Sequence, residues 1–403
     1  MRLRCTGRGC HVSAPSTLLW GNYTDEVRPN TTLIKLNSNR PQKCLVRSPA
    51  HGPNSIRRQT NLPDSSFLLG FHNRAFILSR HHVSFGTTNL NMVNIAIAGG
   101  TGGVGRSIVD ALENDPRHST IILSRTEAAE DKIGVPVVAV DYDDKRSLQT
   151  ILETHEIHTV ISALALHIIG VGKAQINLIK AADKSNYTQR FISSNWAVRP
   201  STQYLSLLPH GFQHIASYRE LENSRLEWTA FNCGWFLDYY AMPHVETYIP
   251  QTTFVVDMAN RQASIPGDGK QKVTFTYTKD VARFVVEALD LATWEHDTYL
   301  IGDEMTWEEF VAIAEEARGG EKFHVTYDSV QKLQSGEVTE LPGQVAAYSY
   351  FPKQWAQQLF STFGFWVTEG LFDFPKDRAL NQAFPHLKIT GVKEMLQKSW
   401  EGR

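Results

Sequence analysis

Cysteine is scarce in the main part of this sequence. The 403 residues include four cysteines, and three of them (Cys5, Cys10 and Cys44) lie within the first 92 residues, so that Cys233 stands alone in the remainder. One cysteine cannot build a disulfide framework, which excludes the class of domains held together by such bonds. We therefore predict a reducing, cytoplasmic environment.

Long apolar runs are also missing. The longest, from Val160 to Val171, is interrupted by Ser162, His167 and Gly170 and is too short to cross a bilayer. The first twenty residues carry scattered Arg, Cys, Gly and Pro where a secretory signal needs a continuous apolar core. The sequence therefore predicts neither a membrane protein nor a secreted one.

Acidic residues are rare at the start of the chain. Residues 1–92 contain twelve Lys and Arg but three Asp and Glu, whereas residues 93–403 contain 28 basic and 39 acidic groups. A nucleic-acid-binding domain would carry its positive charge on the folded part, so no nucleic-acid partner is predicted. Residues 1–92 also lack periodicity, which predicts a disordered leader. Three interpretations stay open: a transit peptide, which would make the protein mitochondrial, a disordered extension, or a start codon misplaced upstream of Met92.

Metal-binding motifs are absent as well. The fifteen histidines show no H-E-x-x-H spacing, and the cysteines form no C-x-x-C pair. We predict no bound metal.

What the sequence does contain, from residue 93 onward, is an alternation of short β-branched runs with amphipathic segments. This order predicts an α/β fold: a doubly wound parallel Rossmann sheet over 93–250, followed by a smaller α+β substrate lid over 251–403 that is interleaved with it. Thr306 and Glu309 have the spacing of a capping box at a helix start. The predicted strands are Asn94–Ala98, Thr120–Leu123, Val135–Val140, Thr159–Ile161 and Arg190–Ser193.

A glycine-rich loop joins the first predicted strand to the first helix. Glycine permits a tight turn and a close approach of a pyrophosphate to the backbone, and the helix N-terminus favours the anion. The spacing is G-x-x-G-x-x-G, with no following Lys-Ser/Thr, which argues against an NTPase loop. The predicted cofactor-binding residues of this loop are Gly99, Thr101, Gly102, Gly103, Val104 and Gly105.

The cofactor type is predicted from the end of the next strand. Arg125 stands where an NAD site commonly has an acidic residue, and an Arg suits a 2′-phosphate, so NADP(H) is preferred over NAD(H). Alternatively, Arg125 is a solvated strand-end residue that nearby acidic groups neutralise. Asp141, after the third strand, would border the adenine or else cap the helix that starts near Lys145.

The whole region after residue 92 resembles the NmrA-like proteins of the isoflavone-reductase type, an atypical branch of the short-chain dehydrogenase/reductase superfamily. The resemblance implies a Rossmann fold, and we count Ala163 among the cofactor-binding residues. The matching segments are the glycine loop, Arg125, Val160–Ala163, Gln175 with Ala181 and Ala182, Arg190–Trp196, Leu226–Thr229, Pro266–Gly269 and Tyr277–Asp280.

Two departures from the family pattern concern catalysis. Family reductases typically have a Lys on the helix after the fifth strand, but no Lys occurs between Lys184 and Lys270, and the corresponding position falls at or near His214. An imidazole titrating near neutrality is a candidate proton donor, although His214 could equally be a packed residue. The strand-end segment that begins at Ser193 also lacks the family's carboxylate.

Two further residues are candidates for the catalytic site. Tyr218 lies four residues after His214 and would share its helix face, or else pack against the sheet. Ser194 follows a strand at the edge where ligands bind in open α/β sheets.

The resemblance implies one of two functions. The first is an NADPH-dependent reductase of a small organic, aromatic or secondary-metabolite-type substrate. The second is a non-catalytic NAD(P)-sensing regulator that acts on a protein partner, which the missing Lys favours. The sequence does not indicate an oligomeric state.

Overall fold

A computed structural model describes residues 92–113, 115–126, 133–168, 170–200, 211–349 and 352–403. The predicted disordered leader, together with its three interpretations, lies outside these residues. None of the helices within the described ranges is both long and apolar enough to cross a membrane.

The secondary structure alternates as predicted in the first half and is more mixed in the second. The strands are β1 (Val93–Ala98), β2 (His118–Ser124), β3 (Val137–Ala139), β4 (Thr159–Ser162), β5 (Arg190–Ser193), β6 (Glu227–Asn232), β7 (Trp235–Phe236), β8 (Val256–Asp257), β9 (Gln262–Pro266), β10 (Lys272–Thr276), β11 (Asp297–Tyr299), β12 (Asp303–Thr306) and β13 (His324–Asp328). The helices are α1 (Gly103–Glu113), α2 (Lys145–Thr154), α3 (Val171–Lys184), α4 (Gly211–Glu222), α5 (Asp238–Ala241), α6 (Thr278–Ala288), α7 (Trp307–Ala317), α8 (Val330–Gln334), α9 (Lys353–Thr368) and α10 (Val392–Trp400).

The main sheet has seven strands in the order β11-β6-β5-β4-β1-β2-β3, and every pairing in it is parallel. The strand order reverses at β1, which places a crevice at the carboxyl ends of β1 and β4. All five strands predicted from the sequence are present in this sheet. The prediction of a doubly wound parallel Rossmann sheet is therefore confirmed.

Helices cover both faces of the main sheet because its strands are apolar on both sides. In β1, Ile95 and Ile97 pack with α1 and α6 on one face. Ala96 and Ala98 point the other way and pack with α2, α3 and α4. Successive residues of a strand face opposite sides, so a continuous apolar run predicts this two-sided burial.

A second layer follows, built from two three-stranded sheets, β12-β10-β7 and β13-β9-β8, with α7, α9 and α10. Its core is rich in aromatic rings, and the Trp235 indole makes edge contacts with Phe254, Trp307 and Phe363. The predicted capping box at Thr306 and Glu309 is present at the start of α7. We call this layer the lid.

The lid and the main sheet exchange elements along the chain. Strand β11 and helix α6 come after residue 250 but belong to the main layer, whereas β7 comes before it and belongs to the lid. A cut at residue 250 therefore does not separate the two layers, because each layer contains elements from both sides of it.

A buried carboxylate joins two of these elements. Asp238, at the start of α5, accepts hydrogen bonds from the Thr278 amide at 3.0 Å and the Thr278 hydroxyl at 2.6 Å at the start of α6. It also accepts from the Thr247 hydroxyl at 2.5 Å. Burial raises the pKa of this carboxyl in spite of the three donors. The three hydrogen bonds are therefore what makes its burial tolerable.

Replacement of Asp238 by Asn is expected to lower the free energy of unfolding by about 2 kcal/mol, because an amide NH₂ would face the buried donors. Urea unfolding at neutral pH measures the change. Asp377→Asn, at an exposed position, is the control and should stay within about 0.5 kcal/mol of the wild type. Equal stability of the two variants would contradict the bridging role.

Candidate functional site

The glycine loop packs closely on the end of β4. The Gly99 backbone has a φ of +81°, and a Cβ at this position would lie 2.6 Å from the Ala163 carbonyl oxygen. A Cβ on Gly105 would overlap the Gly99 carbonyl and lie 2.9 Å from the Ala163 Cβ. The Ala163 amide in turn donates to the Ala98 carbonyl at 2.7 Å. Glycine at both positions therefore lets α1 start directly against β4.

The middle of the loop is open. Thr101 and Gly102 are exposed, and a Cβ on Gly102 would have no other heavy atom within 4 Å. A Cβ on Gly103, the first residue of α1, would likewise have no other heavy atom within 4 Å, whereas the Val104 side chain is buried. Helix N-termini bind anions through their free N–H groups and the helix dipole. The crowded and open glycines together fit a site that receives a dinucleotide pyrophosphate.

Arg125 and Asp141 lie at the ends of the neighbouring strands β2 and β3. Arg125 is exposed. Burial raises the pKa of the Tyr142 hydroxyl, which donates to the Leu123 carbonyl at 3.1 Å, and the charge of Arg125 acts in the opposite direction. Asp141 is exposed and accepts from the Asp143 amide at 2.8 Å. The residue that caps α2 is Asp144, so Asp141 does not serve as that cap.

Ser194 ties together the segments that follow β4 and β5. Its hydroxyl donates to the Leu164 carbonyl at 2.8 Å, and its amide donates to the Gln175 side chain at 3.1 Å. Ser194 is 4% exposed. The sequence predicts Ser194 at the carboxyl edge of the sheet, and in the structure its hydroxyl is hydrogen-bonded to another residue of that edge.

His214 on α4 lies against Ser194. Burial and the nearby His167 lower the pKa of the His214 imidazole to about 4, and a hydrogen bond to the Ser194 backbone acts in the opposite direction. The side chain is therefore neutral at pH 7, which differs from an imidazole that titrates near neutrality. The physical reason is the loss of water around the ring. Its Nδ1 atom is buried and has no hydrogen-bond partner among the residues that the structure describes.

Tyr218 is buried and packs against the main sheet. Its ring stacks on Trp228 at 5.8 Å, and the Arg199 guanidinium lies 4.5 Å from the ring centroid. This geometry matches the packing alternative considered for Tyr218. Its buried hydroxyl has no hydrogen-bond partner among the described residues, and the residue borders a cavity of about 490 Å³. The cavity is lined by Arg199, Pro200, Ile215, Tyr218, Arg219, Glu222, Asp297 and Tyr299.

These observations can be compared with known proteins. Residues 92–395 match the NmrA-like family. The chain belongs to this family. A curated relative, oxidoreductase BOA1 of Botryotinia fuckeliana, is 35% identical over 301 residues, which span 73% of this chain and 96% of the relative. Oxidoreductase swnN of Metarhizium robertsii is 29% identical over 337 residues, spanning 77% and 98% of the two chains.

Solved structures agree with the NmrA-like assignment in their fold. A leucoanthocyanidin reductase from Vitis vinifera in complex with NADPH has a TM-score of 0.56 at 20% identity, covering 76% of this chain and 98% of that one. AtPrR2 with NADP⁺ and (+)pinoresinol has a TM-score of 0.59 at 19% identity, with coverages of 76% and 98%. At these identities the likeness shows the isoflavone-reductase-like fold.

The roles of two residues near the candidate site could not be read from the sequence. His167 was noted as an interruption of an apolar run, and its electrostatic effect on His214 depends on a loop after β4. Trp196 has a φ of +54°, rare for a non-glycine residue, and its indole N–H donates to the Ser162 carbonyl at 3.0 Å. No His, Cys, Asp or Glu side chains are grouped to hold a metal ion within the described ranges.

The two kinds of glycine in the loop should respond oppositely to alanine. Gly105→Ala is expected to lower the melting temperature markedly, because its methyl group would overlap the Gly99 carbonyl. Gly102→Ala should keep the melting temperature near the wild type, since its methyl group meets open space, but weaken NADPH binding at least tenfold, or by about 1.4 kcal/mol.

Thermal unfolding measures the change in melting temperature, and calorimetric titration measures the change in NADPH binding. Gly102→Ala is the control for the melting temperature of Gly105→Ala. If Gly102→Ala bound NADPH as the wild type does, the open face of the loop would not be the dinucleotide site.

Proposed function

We propose that this NmrA-like protein is an oxidoreductase that uses NADPH to reduce a small organic, aromatic substrate. The observation that carries the proposal is the glycine loop, which is crowded at Gly99 and Gly105 and open at Gly102, at the N-terminus of α1. Relatives named as oxidoreductases, which match the chain over almost their whole length, support the same class of activity.

The cofactor would lie along the carboxyl edge of β1, β2 and β4. The loop from Gly99 to Gly105, with Ala163 beside it, would hold the pyrophosphate, and Asp141 would border the adenine. The exposed Arg125 guanidinium would pair with the 2′-phosphate, a group that an Arg binds through two parallel hydrogen bonds. Bound NADPH would supply the hydride. Neighbouring folds that hold NADPH or NADP⁺ support this choice of cofactor.

The protein's own contribution at the reacting end would come from His214 and Ser194. A neutral imidazole carries a proton on one nitrogen and accepts at the other, so it would give its proton to the reduced substrate at one nitrogen while the other nitrogen takes up a proton from water. The buried, unpartnered Nδ1 of His214 is the atom we assign to this exchange. Ser194, whose hydroxyl is held by Leu164, would position the imidazole through its backbone.

An aromatic substrate fits the composition of the lid. Phe363 and Tyr239 are partly buried at the edge of its aromatic core, where a flat apolar ring could stack on them. Structural neighbours and relatives are named for aromatic substrates, such as the phenylcoumaran benzylic ether reductase of Nicotiana tabacum, 24% identical over 264 residues that cover 59% of this chain and 79% of the relative.

The preference for NADPH over NADH should depend on Arg125. Arg125→Ala is expected to lower the ratio of the two affinities about tenfold, the effect of losing about 1.4 kcal/mol of phosphate binding. Calorimetric titration with both dinucleotides measures the ratio, and Arg403→Ala at the chain end serves as the control. An unchanged ratio in Arg125→Ala would place the 2′-phosphate elsewhere.

Turnover should depend on His214. NADPH oxidation with a panel of enones, imines and quinones is expected to fall about 100-fold in kcat in His214→Gln, since glutamine cannot transfer a proton. NADPH affinity should be kept. Because burial lowers the pKa of His214 to about 4, its titration should add no step to the kcat/KM profile between pH 6 and 8.

The exposed His155→Gln is the matched control and should retain wild-type kcat. Tight NADPH binding by the wild-type protein with no oxidation across the whole panel would contradict the enzyme proposal. That outcome would favour the NAD(P)-sensing regulator.

A further inference from the structure

A short segment of the chain crosses the start of α1. We call residues 246–249, between α5 and β8, the strap. The Gly103 amide at the first position of α1 donates to the Tyr248 carbonyl at 3.2 Å. The Tyr248 hydroxyl donates to the Asp110 carboxylate at 2.6 Å, about two turns further along the same helix. One residue of the strap thus contacts both the glycine loop and the body of the helix that follows.

An arginine completes the contact. Arg106 pairs with Asp110 at 2.7 Å, donates to the Ile133 carbonyl at 3.1 Å, and lies 5.7 Å from the centroid of the Tyr248 ring. The side chain that directly follows the last glycine of the loop is therefore oriented by the same tyrosine and carboxylate.

The other side of the strap is anchored to the start of α6. The Tyr277 hydroxyl donates to the Glu246 carbonyl at 2.8 Å, and the Lys279 ammonium pairs with the Glu246 carboxylate at 2.6 Å. Thr247 donates to the buried Asp238. The strap therefore joins the N-terminal ends of α6 and α1, and Tyr248 is its contact with the glycine loop.

This contact satisfies the first amide of α1. The first N–H groups of a helix have no partner within the helix and must be satisfied by other groups. The Tyr248 carbonyl accepts from the Gly103 amide, whereas a Cβ on Gly102, one residue earlier, would have no other heavy atom within 4 Å. The strap thus contacts the loop directly beside the open position that the proposed function gives to the pyrophosphate.

We propose that Tyr248 is a positioning residue for the dinucleotide, which holds the glycine loop and Arg106 in the conformation that binds NADPH. This inference rests on the proposed function. Tyr248 is 37% exposed, and a partly exposed hydroxyl–carboxylate pair contributes little to global stability. Its effect should therefore be on the loop and on cofactor affinity more than on unfolding.

The test compares two conservative variants of the full chain. Tyr248→Phe removes the hydroxyl that holds Asp110. Tyr327→Phe is the matched control, because the exposed Tyr327 hydroxyl donates to Glu308 at 3.0 Å in the lid, away from the glycine loop. Calorimetric titration with NADPH should show a Kd about fivefold higher in Tyr248→Phe and unchanged in Tyr327→Phe. Both variants should have closely similar melting temperatures.

Two further measurements separate positioning from a general structural effect. In the steady state, Tyr248→Phe should raise the KM for NADPH by a similar factor while kcat at saturating NADPH stays at the wild-type value. Hydrogen exchange of the free protein should be faster for the amides of residues 99–106 in Tyr248→Phe than in the control.

Failure of this inference is distinguishable from failure of the proposed function. If the wild type binds NADPH and Tyr248→Phe binds it equally well, with unchanged exchange at the loop, the positioning role is overturned and the proposed function stands. If the wild type itself does not bind NADPH, the proposed function fails, and the inference that rests on it is overturned as well.

Discussion

The close approach between the glycine loop and the end of β4 is the contact on which the rest of the site depends. Gly99 and Gly105 have no side chains to hold α1 away from Ala163, so the helix begins directly above the crevice at which the strand order reverses. The helix then presents its free amides at the edge where β1 and β4 end. A side chain at either glycine would displace the helix and with it the N-terminus to which we assign pyrophosphate binding.

Burial controls the chemistry at the second half of the edge. His214 lies among packed groups, so its imidazole is neutral and one of its nitrogens is left without a partner. Ser194 is equally buried, but its hydroxyl is satisfied by the Leu164 carbonyl. The satisfied Ser194 hydroxyl holds together the segments that follow β4 and β5, and the unsatisfied His214 nitrogen is the atom to which we assign the proton exchange. The difference between the bonded Ser194 hydroxyl and the unbonded His214 nitrogen follows from contacts among β4, β5 and α4.

The interleaving of the two layers connects the lid directly to the glycine loop. Asp238 binds the start of α6 and the strap together, and Tyr248 extends that connection to α1. Tyr248 and Asp110 are 138 residues apart in the chain. A few hydrogen bonds thus join α5, the strap and the start of α1.

The sequence by itself determined the strands of the main sheet, the glycine loop and the α7 capping box, because each depends on neighbouring residues: apolar runs of strand length, glycine between a strand and a helix, and Thr306 three residues before Glu309. The family followed from the same local segments. Only the tertiary structure decided the charge of His214, the packing of Tyr218 on Trp228 and the contact of Tyr248 with Gly103. These depend on which distant elements exclude water from a side chain or supply its partner, and periodicity along the chain carries no record of either.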